Sequence, residues 1–213
     1  MLLSAFTLCA AFSAYLTIRA EYRGPRSLVY VFKPLTMLCI VGVAWLVPDP
    51  ISPLYRRLIL AGLLFSLAGD VFLMLPRDRF VPGLASFLVA HLFYSAAFLI
   101  HADTLSWWRL LPFVFLSAAL FGLLRPHLGN LQVPVVVYMG VISVMAWAAL
   151  NHWQTHTEHR GSVLAFMGAV LFLASDALLA LDRFKTPFYK ARFYVLTTYF
   201  AAQWLIAFSV TRG

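Results

Sequence analysis

The sequence predicts an all-α polytopic membrane protein with eight transmembrane helices. Of its 213 residues, 62% are apolar and only 11% are charged, and the mean hydropathy is +0.86. An ordinary soluble domain carries about 25% charged residues, so a water-soluble globule is excluded. The apolar residues fall into eight runs, 2–18, 28–47, 58–75, 84–100, 107–124, 131–150, 163–181 and 193–210. Each approaches the roughly 20 residues that a helix needs to cross a hydrocarbon core of ~30 Å. The runs are apolar on every face, whereas barrel strands alternate polar and apolar positions.

Taken in order, each run ends where the chain can turn. The first lacks a basic leader segment and reads as a permanent helix, closing before Gly24-Pro25. The second stops at Pro48-Asp49-Pro50, the third at Pro76, and the fourth follows Pro82-Gly83. The fifth ends at Arg125-Pro126, the sixth at a histidine-bearing connector, and the seventh before Pro187. Proline and glycine punctuate loops because neither continues a helix well. Cys9 and Cys39 sit inside apolar runs, which gives no support to a disulfide framework or a cysteine zinc site.

A formal net charge of +8 would suit nucleic acid, but the cations crowd into short connectors, where they orient helices in a bilayer. Nucleic acid is therefore not an expected partner. The first, third, fifth and seventh connectors hold ten Lys and Arg residues and the opposite side five. The positive-inside rule then places both termini outside the cytoplasm, and a bacterial cytoplasmic (inner) membrane is the expected location.

Shifting the chain by 106 residues lays 62–100 over 168–206 without a gap, and 13 of the 39 pairs are identical. Matched leucines mean little in a membrane protein, but Asp70 with Asp176 and Arg77 with Arg183 are rare coincidences. The expectation is a single transmembrane domain duplicated internally, about 1–105 and 106–213, with four helices in each half. An even number makes the repeats parallel, so the two aspartates should share one depth.

A charge in mid-helix costs about 2.5 to 3.5 kcal/mol on insertion scales, so each one calls for a partner, a wet cavity or a function. The intramembrane set is Lys33, Asp70, His91 and Asp176, with Tyr94, Tyr138, Ser175, Tyr199 and Gln203 as polar company. Counted from the helix ends at 1.5 Å per residue, Lys33, Asp70 and Asp176 each lie roughly 9 to 10 Å inside the cytoplasmic boundary. His91, Tyr138 and Gln203 lie somewhat deeper, as in a funnel narrowing from that leaflet. One lysine serves two carboxylates, so one carboxyl is expected to keep its proton near neutral pH while the other stays ionised. That is the asymmetry that acid-base chemistry requires. His152, His156 and His159 have metal-like spacing, but they fall in a connector on the opposite side and read as a solvated loop. No metal or cofactor is expected.

These residues resemble the YhhN family of integral membrane lysoplasmalogenases over nearly the whole chain. The likeness rests on Lys33-Pro34, Gly69-Asp70, His91 with Tyr94, and Tyr138. It is strongest late, in Gly168-Ala169, Phe172, Ser175-Asp176, Leu179-Ala180, Tyr199, Ala202-Gln203 and Leu205-Ile206. Ala90 stands where a glycine is expected and Phe200 where a second tyrosine is usual; neither change removes an ionisable group.

The resemblance implies hydrolysis of the vinyl ether bond of a lysophospholipid substrate, releasing a fatty aldehyde and glycerophosphoethanolamine or glycerophosphocholine. Such a bond breaks by proton transfer to its β-carbon and capture of the resulting oxocarbenium ion by water. A carboxylic acid and a carboxylate suffice, with Asp70 and Asp176 catalytic and Asp176 expected to be the acid. Lys33, His91, Tyr94, Tyr138, Ser175, Tyr199 and Gln203 are the candidate substrate-binding residues. Lys33, or arginines at the mouth such as Arg77 and Arg183, are candidates to hold the phosphate. Membrane lipids surround the bundle. The runner-up reading is a small lipid or proton-coupled transporter using the same paired carboxylates, which would call for helices broken beside Asp70 and Asp176.

Overall fold

A computed structural model describes residues 1–102 and 104–212. The chain is all-helical: α1 (Leu2–Arg23), α2 (Arg26–Leu46), α3 (Pro53–Met74), α4 (Phe80–Leu99), α5 (Leu111–Leu124), α6 (Gln132–Thr155), α7 (Arg160–Ala180) and α8 (Ala191–Phe208). Short 3₁₀ turns lead into α5 and join it to α6, and α7 runs on as a π-helical turn, Leu181–Lys185. All helices but α8 are long and apolar enough to cross a membrane, α5 when counted with its flanking 3₁₀ turns as Trp107–His127. The exception has 18 residues and includes Arg192, Thr197, Thr198 and Gln203. It packs on α7, α2, α1 and α3, and protein neighbours on several sides satisfy polar groups that lipid would not.

Several helices outrun their apolar runs. Ser52 Oγ accepts the Tyr55 backbone N–H at 3.1 Å and Pro53 takes the first helical position, so α3 begins five residues before the run and takes in Arg56 and Arg57. The Arg56 guanidinium donates to the Val47 carbonyl. Pro82-Gly83, expected to precede a helix, lies in the first turn of α4. First-turn N–H groups have no intrahelical acceptor, so a proline there loses nothing. Pro34 is different, because it lies inside α2 and leaves the Tyr30 carbonyl without its i+4 donor.

The expected solvated histidine loop is corrected by the same effect. Because α6 continues to Thr155, His152 lies within the helix and is 1% exposed, stacked on Tyr55 at 5.7 Å and on Phe98 at 6.4 Å. His156 and His159 do lie in the connector, stacked on each other at 5.3 Å. Among the described residues no group of three or more His, Cys, Asp or Glu side chains is placed to hold a metal ion.

Neighbouring helices pack as hairpins, α1 with α2, α3 with α4 and α7 with α8, while α4 crosses to α6 and α2 to α8. Two glycines matched by the 106-residue shift permit the closest approaches. A Cβ on Gly62 would lie 2.2 Å from the Tyr94 ring, and one on Gly168 would lie 2.7 Å from Ile206 and 3.0 Å from the Ala202 carbonyl. Small residues of this kind let membrane helices come together where no hydrophobic force drives them. Both α3 and α7 pass Asp70 and Asp176 without a break.

Candidate active site

The third and seventh helices each carry their aspartate near the end where the basic connectors lie, and α2 and α8 close in beside α3. Lys33 Nζ meets Asp70 Oδ1 at 2.9 Å. Tyr199 donates its hydroxyl to Asp70 Oδ2 at 2.6 Å. Asp70 is 1% exposed, so an ammonium and a phenol replace the water that its carboxylate has lost. Across the bundle, Tyr138 of α6 donates to Asp176 Oδ2 at 2.5 Å. Asp176 is only partly buried and has no salt-bridge partner among the described residues.

Both carboxyls line one polar cavity of about 660 Å³, together with Lys33, Ser175 and Tyr199. The cavity reaches the basic end of the bundle, where Glu21, Arg26, Asp182, Arg183 and Arg192 line it. Arg183 is fixed there by Asp78 at 2.9 Å and lies 4.0 Å above the Phe80 ring, a geometry that favours a cation. Arg192 reaches Glu21 at 3.4 Å. The π-helical turn after α7 brings Asp182 and Arg183 to this mouth; π turns inside helices recur at functional sites. Arg77 is not among the lining residues.

The structure separates the expected binding residues into two levels. Lys33, Ser175 and Tyr199 join the aspartates at the cavity wall, although the Ser175 hydroxyl is already given to the Val195 carbonyl at 3.0 Å. Tyr138 lines a second, apolar cavity that also touches Asp176. His91, Tyr94 and Gln203 line neither cavity. They form a buried layer beneath, in which Tyr94 donates to Gln203 Oε1 at 2.8 Å. The His91 ring packs edge-on against Phe172 at 4.6 Å and Tyr138 at 5.2 Å. The expected funnel therefore ends at the carboxylate layer, where Phe87 and Phe172 pack edge-on to Tyr199. Sequence reasoning did not single out Arg26, Arg192, Glu21 or Asp182. Their only signal was charge within one turn of a helix end, which every connector shares.

The chain is 34% identical over 214 residues to "Uncharacterized membrane protein YhhN" of Escherichia coli O6:H1, covering 99% of both chains. It is 35% identical over 182 residues to "Lysoplasmalogenase TMEM86B" of Homo sapiens, covering 85% of this chain and 74% of that one. With "Lysoplasmalogenase TMEM86A" of Bos taurus it shares 38% identity over 159 residues, 73% of this chain and 65% of the relative. No solved structure matches it. Residues 28–210 match the YhhN family, a span that contains every residue of the carboxylate layer, and the chain belongs to that family.

Proposed function

We propose that this protein is a lysoplasmalogenase, hydrolysing the vinyl ether bond of lysoplasmenylethanolamine or lysoplasmenylcholine with Asp176 as general acid and Asp70 as general base. The observation that carries this reading is the unequal provision for two carboxyls on one cavity: Lys33 and Tyr199 for Asp70, Tyr138 alone for Asp176. A buried carboxylate beside an ammonium stays ionised, whereas one with only neutral donors favours its acid form. With Oδ2 occupied by Tyr138, Oδ1 of Asp176 is left to carry the proton. Relatives named as lysoplasmalogenases support the same activity.

The proton of Asp176 passes to the β-carbon of the vinyl ether, and an oxocarbenium ion forms at the carbon bonded to oxygen. Asp70 stabilises that cation and takes a proton from the attacking water. In the resulting hemiacetal, Asp176 removes the hydroxyl proton and Asp70 returns its proton to the departing glycerol oxygen. One water is consumed, the aldehyde leaves, and both side chains regain their starting states. A positioned proton donor contributes about 10² to 10⁴-fold to such a step.

The mouth fits the other end of the substrate, with Arg26 and Arg183 for the phosphate and Glu21 and Asp182 for the cationic amine. The basic end faces the cytoplasm, both termini face away from it, and the protein resides in a bacterial inner membrane. We read the two carboxyls as counterparts in a duplicated bundle.

The test is purified protein in micelles with a lysoplasmalogen and with its saturated ether and ester analogues. Free aldehyde is expected from the vinyl ether alone. In D₂O, that aldehyde should carry one deuterium on the carbon next to the carbonyl, where the β-carbon was protonated. Aldehyde without that deuterium excludes protonation at carbon, and equal turnover of the ester excludes the substrate.

A further inference from the structure

Behind Asp176 lies a second cavity, of about 270 Å³, between α4, α5, α6 and α7. It shares Leu73, Phe80, Phe87, Asp176 and Leu179 with the polar cavity, so the two meet at that carboxyl. Among the described residues its lining contains no Lys, Arg, His or Glu, and Asp176 is its one ionisable carboxyl. The remaining polar groups already have partners. Ser117 Oγ lies 2.8 Å from Ser143 Oγ, and the Tyr138 hydroxyl is given to Asp176. What the cavity offers a ligand is hydrocarbon.

We infer that this apolar cavity is the slot for the alkenyl chain, entered sideways from the bilayer between α4 and α5; the assignment of the chain rests on the hydrolase reading above. A vinyl ether is the point at which a polar glycerophosphate joins an apolar chain. With the headgroup among the charges of the first cavity and the chain in the second, the bond to be protonated falls at their junction, beside Asp176. Asp70 and Lys33 line only the polar cavity, on the side from which water arrives. This places the acid next to the chain and the base next to the headgroup.

The portal follows from how α5 is held. It packs on α6 and leaves α4 largely untouched, yet Leu84 of α4 and Leu116 and Leu120 of α5 line the same cavity. Two helices that border one space without closing on each other leave a seam. The outer face of α5 is lipid-exposed, with Leu111 66% and Phe115 77% accessible. A single-chain lipid, and later a fatty aldehyde, can cross such a seam without its chain entering water, which keeps the apolar surface covered throughout. Ile142 and Leu116 lie toward the middle of their helices and form the far end of the slot.

Two measurements test this. A saturated ether lysophosphatidylethanolamine carrying a mid-chain diazirine is photolysed with the wild-type protein in micelles, and the labelled peptides are mapped. Label is expected on residues 116–120 and 139–142. A third, more open groove is lined by Tyr15, Tyr22 and Tyr194; label confined to that groove, or spread evenly over the lipid-facing helices, overturns the slot. Binding of this probe needs no turnover. Wild-type protein that releases no aldehyde would therefore defeat the hydrolase reading while the label still decides the slot.

The second measurement is the ratio of kcat/KM for a hexadecenyl substrate to that for a butenyl analogue. Leu116→Trp fills the far end at a half-exposed position that tolerates bulk. It should lower that ratio by about tenfold or more, the usual size of a lost apolar pocket contact. Leu8→Trp on the lipid face of α1 should leave the ratio unchanged. An unchanged ratio in Leu116→Trp, or an equal fall in Leu8→Trp, overturns the proposal.

Discussion

Asp70 and Asp176 occupy matching places in the chain, 106 residues apart and each seven residues before an arginine, yet their neighbours differ. The shift that carries Asp70 onto Asp176 carries Lys33 onto Met139. Asp70 is 1% exposed and pinned by an ammonium at 2.9 Å. Asp176 is partly buried, held by the Tyr138 phenol at 2.5 Å and open to two cavities. The same side chain at matching positions of the sequence thus meets an ammonium in one case and a phenol alone in the other, which the proposed mechanism reads as an ion and an acid. What distinguishes them is the residue presented by the adjacent helix, Lys33 on α2 and Tyr138 on α6.

The sharpest break of this comparison is to remove each carboxyl in turn. Asp176→Asn and Asp70→Asn should each lower aldehyde release by about 10² to 10⁴-fold, measured at saturating lysoplasmalogen on protein whose helical circular dichroism is unchanged. A variant that keeps a near-normal rate removes that aspartate from the mechanism.

Lys33→Met comes next. It leaves Asp70 buried without its cation, which costs about 3–5 kcal/mol when one member of a buried pair is removed. Thermal unfolding in detergent should show the loss, and the double variant Lys33→Met/Asp70→Asn should recover most of it, since a neutral amide needs no counter-charge. The matching change Met139→Leu in the other half should be nearly silent in the same assay, because no charge depends on Met139.

The smallest expected difference is between two phenols. Tyr199→Phe removes a hydrogen bond to a carboxylate, worth about 1.5–3 kcal/mol, and Tyr138→Phe one to a neutral acid, worth about 0.5–1.5 kcal/mol. Tyr199→Phe should therefore lower the unfolding midpoint further. The reverse order would mean that the proton sits on Asp70 and that the acid and base roles are exchanged.

Several features of the fold and site were legible before any coordinates. The eight runs announced eight helices because a segment in hydrocarbon must satisfy every backbone group within itself, and only length and apolarity are needed to do so. Lys33, Asp70 and Asp176 stood out for the complementary reason: charge inside that solvent is too costly to be incidental. Other features gave no such signal. His152 looked like part of a loop because hydropathy marks where apolar residues stop, whereas α6 ends at Thr155, five residues beyond its run. Gln203 and His91 looked like cavity residues because depth places them near Asp70, but neither lines a cavity: His91 packs against Phe172 and Gln203 accepts from Tyr94.

By itself the sequence determined the apolar character of this chain, the number and order of its helices, and how far Lys33, Asp70 and Asp176 lie from the ends of theirs, since position along a helix converts to distance at 1.5 Å per residue. Only the tertiary structure decided which carboxyl received the lysine, which residues line the mouth, and that a second, apolar space opens behind Asp176. Those are matters of rotation and approach between helices. They are set by contacts such as Gly62 under Tyr94 and Gly168 under Ile206, where two segments far apart in the chain must fit together before either has a defined neighbour.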